Sequence, residues 1–214
     1  MFLRVQHFQQ ADRWTERLVR TTARGLSPYP WGVAEIGVDR SALAIGQFAL
    51  SNLRGILPDG TPFEAPIDAD LPPPLDLDDS TKNAIVYLAL PARQPGKADV
   101  ALNGSAMRNS VRVTASLYEA PDSNIETDFM APIDVGRLSL RYLKTGDELA
   151  GYELIGLARV IEVRSDRAVI LDPDYIAPCL NCAAEARLNE LITELLGIVR
   201  HRAEAIAERI GDPT

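Results

Sequence analysis

The stretch from residue 33 to residue 177 constrains the fold most, because short apolar runs follow one another there without helical spacing. Several runs alternate apolar and polar residues, as a strand with one buried face does. The runs lie at 33–39, 43–53, 84–90, 111–120, 134–143, 152–164 and 168–172. Glycine, proline and aspartate separate them. This pattern predicts a mainly β chain folded as an antiparallel sandwich or barrel.

One of these runs and one stretch between them allow a finer prediction. The run at 111–120 alternates apolar residues with Arg112, Thr114 and Ser116, which predicts a core face and a solvent face. The stretch LPPPLDLDD at 71–79 cannot be a central strand, because proline has no N–H to donate to the ladder. We therefore expect it to be a surface connection.

A helix is predicted near the start of the chain, from about residue 6 to residue 24. Apolar residues recur there at helical spacing and form a narrow face. They are Phe8, Ala11, Trp14, Leu18, Val19 and Thr22. Five arginines, at positions 4, 13, 17, 20 and 24, cover the rest of the helix. We favour a solvated basic face over a site for an acidic partner.

A second helix is predicted from residue 183 to residue 210, with Asn181 or Cys182 at its start. Two overlapping seams form a wide apolar stripe, broader than a two-stranded coiled coil uses. This neck stripe consists of Leu188, Leu191, Ile192, Leu195, Ile198, Val199, Arg202 and Ile206. A helix of this length spans roughly 42 Å at 1.5 Å per residue, so we expect it to meet other helices in an oligomer. The alternative is a terminal helix docked on its own sandwich.

The seam position Arg202 needs a partner or an exit to solvent. Glu194 and Glu204 of a neighbouring chain are in reach for an ion pair, and the long side chain can otherwise extend outward to water.

The strand pattern and the C-terminal helix together predict two parts of the chain. We expect a sandwich domain over residues 1–178 and a helical neck over residues 179–214.

Large side chains are concentrated in the first 32 residues, where a chain end is ordinarily poorly ordered. They belong to the segment FLRVQHFQQADRW at 2–14 and to YPWG at 29–32. Two interpretations stay open: packing into the core, or docking onto a partner through aromatic anchors. The candidate docking residues are Phe2, Leu3, His7, Phe8, Tyr29, Pro30 and Trp31.

The charge balance excludes several function classes. The chain has 22 basic and 30 acidic residues, a formal net charge of −8. Nucleic-acid phosphates and anionic membranes both attract clustered basic residues, so neither is an expected partner. No stretch approaches the roughly 20 apolar residues of a membrane helix, and the signals of a secretory leader are missing, which predicts a cytoplasmic protein without membrane insertion.

No constellation for catalysis, metal binding or a cofactor is found in the sequence. The only histidines, His7 and His201, lie in different predicted elements, and the only cysteines are Cys179 and Cys182. Two residues between cysteines is also the spacing of a redox pair or half a zinc site, but a second ligand pair is missing. We expect reduced structural thiols, no cofactor, no metal and no enzymatic activity.

Five motifs resemble one protein family in order and spacing across nearly the whole chain. FLRVQHFQQADRW at 2–14 is similar to the opening FLxPQHFQQ of the type VI secretion baseplate family TssK. YPWG at 29–32, GILPDGTPFEAP at 55–66, LARVIEV at 157–163 and LDPDYIAPCL at 171–180 continue the resemblance. The chain departs from the family at Val5, where the family has proline, and in length, since the family's chains continue into a further domain.

The resemblance implies a structural adaptor. TssK proteins are cytoplasmic homotrimers with a β shoulder, similar to that of phage receptor-binding proteins, followed by a helical neck and a C-terminal head. The shoulder binds the baseplate wedge of TssF and TssG, and the head contacts the membrane-complex proteins TssL and TssM at the inner face of the inner membrane. This chain is expected to comprise the shoulder and the start of the neck without the head. Whether the shortened neck holds the trimer stays open.

A different class of function competes with the adaptor. Trp14, Tyr29 and Trp31 could serve as stacking platforms in a β-sandwich that binds a glycan or another small ligand. Such a module predicts a change in aromatic fluorescence when a sugar is added, and the adaptor predicts none.

Overall fold

The computed structural model describes residues 3–94, 96–101, 111–122 and 130–211. Three α-helices and twelve strands are formed by these residues. The helices are α1 Val5–Leu26, α2 Arg40–Ala44 and α3 Ala186–Gly211, with a 3₁₀ turn at Cys182–Ala184 before the last of them. The strands are β1 Gly32–Val38, β2 Gln47–Phe48, β3 Leu50–Ile56, β4 Pro62–Ala65, β5 Leu75–Asp76, β6 Ala84–Pro91, β7 Val100–Ala101, β8 Val113–Pro121, β9 Met130–Leu138, β10 Arg141–Lys144, β11 Tyr152–Val163 and β12 Val169–Leu171.

Two antiparallel sheets enclose the hydrophobic core. The first has the strand order β1-β3-β4, and the second has the order β10-β6-β11-β12. A single buried cluster draws on both, with Leu53 and Phe63 from the first sheet and Leu88 and Ile155 from the second. The ring of Phe48 meets the ring of Tyr142 edge to face at 5.3 Å between centroids. Burial of these side chains is the main stabilising contribution to the fold.

The two sheets and their core are called the body below. A third sheet extends from the body as a long hairpin. Strands β8 and β9 pair antiparallel over nine residues each, and the two-residue β7 joins β8 in parallel at its base. A two-stranded ribbon of β2 and β5 completes the strand pairing. The prediction of a mainly β, antiparallel fold between an N-terminal and a C-terminal helix is confirmed.

The structure differs from the sequence prediction in two strand runs and in one predicted surface connection. The run at 43–53 is broken, because Asp39 caps α2 by accepting hydrogen bonds from the backbone N–H groups of Ser41 and Ala42, and Gly46 then turns the chain. The run at 134–143 is two strands, β9 and β10. The stretch at 71–79 is more than a surface connection, because it contributes β5 and buries Leu77 in the core at 2 % exposure.

The junction before α3 is hydrogen-bonded into the first sheet. The N–H of Val33 donates to the carbonyl of Pro178 at 2.7 Å, and the N–H of Leu180 donates to the carbonyl of Val33 at 2.8 Å. Asn181 then caps the 3₁₀ turn, its side chain accepting from the N–H of Ala184. These contacts fix the point at which α3 leaves the β body. No helix among the described residues is long and apolar enough to span a membrane.

Candidate partner-docking and oligomer surfaces

Helix α1 lies on the outside of the body and buries none of its described residues. Its main attachment is an ion pair between Glu16 and Arg93, at the end of β6. The two guanidinium nitrogens of Arg93 donate to the two carboxylate oxygens of Glu16 at 2.6 and 3.1 Å. The hydrogen bond from Arg93 lowers the pKa of Glu16. Because both side chains stay partly exposed, this clip holds the helix only weakly.

Two further arginines of α1 touch the turn between β3 and β4. Arg24 donates to the carbonyl of Pro58 at 3.4 Å, and the side chain of Arg20 lies over Gly60. The Nε–H of Arg20 is buried there and has no hydrogen-bond partner among the residues that the structure describes. A half-open cleft of about 440 Å³ separates helix and turn. Asp12, Thr15, Glu16, Val19, Arg20, Gly60, Thr61, Pro62 and Arg93 line it. The interpretation of the arginines as a purely solvated face is therefore wrong for Arg20, whereas Arg24 stays exposed beside its one contact.

The apolar face of α1 points away from the body. Phe8 is 62 % exposed and Trp14 is 65 % exposed, and Leu18 is exposed as well, whereas Val19 is exposed but also lines the cleft. The exposed Leu3 precedes them, and Phe2 lies outside the described residues. Among the described residues, Leu3, Phe8, Trp14 and Leu18 are therefore not part of the core of this chain. The aromatic concentration at the chain start therefore leaves the docking interpretation as the one to test.

His7 has a local structural partner. Its Nδ1 accepts a hydrogen bond from the backbone N–H of Arg4 at 3.0 Å, and this contact caps the first turn of α1. Capping satisfies one of the N–H groups that a helix start leaves free. His7 thus holds the helix start in place beside any contact it makes with a partner.

The YPWG turn separates its two rings. Tyr29 is 73 % exposed, whereas Trp31 is half-buried and packs against the core cluster. Pro30 between them is half-buried. The core interpretation therefore holds for Trp31 and not for Tyr29. Neither ring nor Trp14 lines the cleft under α1, and glycan binding stays a prediction.

A buried ion pair that sequence reasoning missed supports this region. Arg112 was expected on a solvent face, but it is 3 % exposed. Its guanidinium donates to the carboxylate of Asp59, to the hydroxyl of Thr61 and to the carbonyl of Pro91 at 2.8 Å. Alternation along β8 does not reveal this, because the acceptors come from segments 21 to 53 residues away. Arg112 thereby joins the hairpin base to the turn that supports α1.

The two cysteines lie at the junction with α3. Both are free thiols, with Cys179 half-buried and Cys182 exposed. Burial, together with the nearby Cys182, raises the pKa of the Cys179 thiol and so disfavours the reactive thiolate. Among the described residues no group of three histidine, cysteine or acidic side chains is placed to hold a metal ion.

Helix α3 extends away from the body with its neck stripe uncovered. Leu191, Ile192, Leu195, Ile198, Val199 and Ile206 are all exposed, and Leu196 widens the apolar surface beyond the predicted seams. Leu188, nearest the body, is half-buried. Arg202, Glu194 and Glu204 are exposed on the same helix. The alternative that this helix docks on its own sandwich is therefore wrong in the described chain.

Comparison with known proteins identifies relatives of the whole described fold. A sequence profile of the family described as "Bacterial Type VI secretion, VC_A0110, EvfL, ImpJ, VasE" matches residues 7–214. The type VI secretion system baseplate component TssK1 of Pseudomonas aeruginosa is 41 % identical over 210 residues, which cover 98 % of this chain and 47 % of TssK1. The chain thus spans about half the length of this curated relative.

Solved structures agree with the sequence comparison. A crystal structure of TssK superposes with a TM-score of 0.87 at 34 % identity, covering 100 % of this chain and 48 % of that one. A TssK–TssF–TssG baseplate subcomplex solved by cryo-electron microscopy contains a chain that superposes with a TM-score of 0.85 at 25 % identity. That match covers 97 % of this chain and 69 % of the other.

Proposed function

Because the chain belongs to the TssK family of bacterial type VI secretion proteins, we propose that it is a structural adaptor of the secretion baseplate. It docks onto the TssF–TssG wedge through its N-terminal region and trimerises through α3. It carries out no catalysis and acts in the cytoplasm, at the inner face of the inner membrane. The observation that supports this most is the match to a chain in a TssK–TssF–TssG subcomplex over nearly the whole length of this one.

Wedge docking is assigned to the N-terminal segment and the YPWG turn. Leu3, Phe8 and Tyr29 offer large apolar side chains that the chain's own core leaves uncovered. Aromatic side chains are frequent anchors of protein interfaces, and truncating such an anchor costs about 2 kcal/mol or more. Phe8 is the test position, because α1 holds it on a rigid element without burying it.

The docking experiment measures affinity for the purified TssF–TssG wedge. We expect Phe8→Ser to weaken binding by roughly 30-fold, the equivalent of about 2 kcal/mol, without lowering the melting temperature. Gln9→Ser changes the neighbouring exposed position and serves as the control. Removal of residues 1–8 should give a stable protein that no longer joins the wedge. Unchanged wedge affinity in both variants would exclude this segment as the docking surface.

Trimerisation is assigned to the neck stripe. The exposed apolar side chains of α3 cover more of the helix surface than a two-stranded seam requires, which favours a bundle of three or more helices. Leu195 lies where both predicted seams meet. A charge at this position costs the free chain little because the site is solvent-exposed, but the assembly would have to bury one charge per copy.

The oligomer experiment is light scattering at micromolar concentration. We expect the mass of three chains for the wild type and of one chain for Leu195→Asp. Thr193→Asp introduces the same charge on the opposite side of α3 and should leave the trimer intact. A wild type that stays monomeric, or a Leu195→Asp variant that stays trimeric, would contradict the assignment.

A further inference from the structure

The outer half of the β8–β9 hairpin is apolar and uncovered. Leu117, Tyr118, Met130 and Ile133 are all among the exposed large apolar side chains. Paired residues of antiparallel strands share a face, so the pair Tyr118 and Ile133 occupies one face. Leu117 and Met130 lie on the other face, because they are displaced by an odd number of residues. The body lies at the base of this hairpin and leaves the apolar side chains on both faces of its outer half uncovered.

The same half of the hairpin is acidic. Between Ala115 and Gly136 the sequence contains no lysine or arginine. Glu119 and Asp134 are exposed, and neither belongs to an ion pair among the described residues. Strand pairing places Asp134 opposite Leu117, and Glu119 lies two residues further along β8 on the same face. This face therefore carries apolar side chains and two carboxylates that alternate along the hairpin.

Helix α1 presents the complementary surface. At about 100° per residue, Arg13, Arg17, Trp14 and Leu18 follow one another within an arc of roughly 140°. Arg13 and Arg17 have no ion-pair partner among the residues that the structure describes, and all four side chains are exposed. The docking segment proposed above uses the first turns of α1, so this arc stays available. The α1 arc is basic and apolar, and the hairpin face is acidic and apolar. The two surfaces are therefore complementary in charge, in a chain whose net charge is −8.

We infer that the hairpin of one copy packs on the α1 arc of the next copy around the trimer. This contact rests on the proposed trimer and adds a second, shoulder-level interface to it. Leu117 and Met130 would cover Trp14 and Leu18, while Glu119 and Asp134, which alternate with them on the same face, would pair with Arg13 and Arg17. A second copy is the committed occupant because the two surfaces match in charge and are both exposed on one chain. Such head-to-tail contacts close into a ring when the rotation between copies is one third of a turn.

The first test reverses charges on either side. Arg13→Glu with Arg17→Glu, or Glu119→Arg with Asp134→Arg, should raise the dissociation constant of the trimer at least tenfold in sedimentation experiments at low salt. Combining all four substitutions should restore it to within about threefold of the wild type. Arg40→Glu with Lys82→Glu makes the same change of net charge as the Arg13 and Arg17 reversal at other exposed positions and should have no such effect. Added salt should reduce the differences, because ion pairs between solvent-exposed side chains are screened.

The second test establishes that the contact joins different copies. In a Cys179→Ser, Cys182→Ser background, Trp14→Cys and Leu117→Cys are prepared as separate proteins, mixed as trimers that exchange subunits, and oxidised. A product of twice the chain mass should appear in the mixture and not in either protein alone. Absence of this product would overturn the inference.

The remaining outcomes separate this inference from the proposed function. A monomeric wild type would overturn the trimer itself. A trimeric wild type whose dissociation is insensitive to all the charge reversals would overturn only the hairpin contact. If the hairpin variants instead lose wedge binding while their trimers are unchanged, the wedge is the occupant and the inference is wrong.

Discussion

The buried Arg112 gives the sharpest stability prediction. Replacing it by methionine removes the charge and all three hydrogen bonds while keeping much of the side-chain volume. The carboxylate of Asp59, whose side chain is only 14 % exposed, would lose its ion-pair partner, and the carbonyl of Pro91 would lose its donor. An uncompensated charge in such a place is far more costly than the ion pair itself is stabilising.

The expected loss follows from that geometry. Removing one partner of a buried ion pair costs about 3–5 kcal/mol. For a domain of this size each kcal/mol lowers the melting temperature by roughly 2–4 °C, so Arg112→Met should melt at least about 6 °C below the wild type. The measurement is thermal unfolding by circular dichroism at one protein concentration, with urea midpoints as an independent scale.

The control is an ion pair between an arginine of β9 and an exposed aspartate. Arg137 pairs with Asp70 at 3.1 Å, but the Asp70 side chain is 82 % exposed, so Arg137→Met should cost less than about 1 kcal/mol. Adding Asp59→Asn to Arg112→Met should recover part of the loss, because the unpaired charge is then gone. Equal melting temperatures for Arg112→Met and Arg137→Met would refute the reasoning.

Three further predictions concern the ion pair between Glu16 and Arg93, the partly buried Glu153 and the junction before α3. Glu16→Gln should speed hydrogen exchange in α1 with a stability loss below about 1 kcal/mol, because the clip to Arg93 is half-exposed; unchanged exchange would show that the clip does not hold the helix. Burial raises the pKa of Glu153, so its contribution to stability is full below the unfolded-state value of about 4.3 and is lost as the pH rises through the folded value. Glu153→Gln should therefore gain melting temperature over the wild type progressively from pH 4 to pH 7, and a constant difference would contradict this. Gly32→Ala should destabilise the junction measurably in urea, because φ is +143° and the new Cβ would lie 2.9 Å from the backbone of Cys179; a wild-type midpoint would be inconsistent with this packing.

The sequence predicted helices and strands best where a single spacing of apolar residues dominates a stretch. The 3.6-residue spacing in the first 26 residues and from residue 186 onward was sufficient for α1 and α3, since no neighbouring segment is needed to form a helical hydrogen bond. Strand boundaries were less certain in the stretch at 43–53, where Asp39 and Gly46 impose local turns that interrupt an apolar run.

Single side chains at the candidate surfaces were harder to predict. Trp31 and Tyr29 are two residues apart in one turn, yet the first packs against the core and the second is exposed. Composition treats both as aromatic anchors. The distinction depends on which direction the chain takes after α1, and this is set by the hydrogen bonds of Val33 to residues 178–180.

The sequence alone determined the family, the mainly β class and the two flanking helices, because these follow from local spacing and from motifs that are continuous in the chain. Tertiary structure decided which surfaces stay uncovered and which charges are buried. Arg112 finds its acceptors on two distant segments, and the hairpin and α1 arc become a complementary pair only once folding leaves both exposed. Burial depends on neighbours brought together from far along the chain, and no local pattern encodes those neighbours.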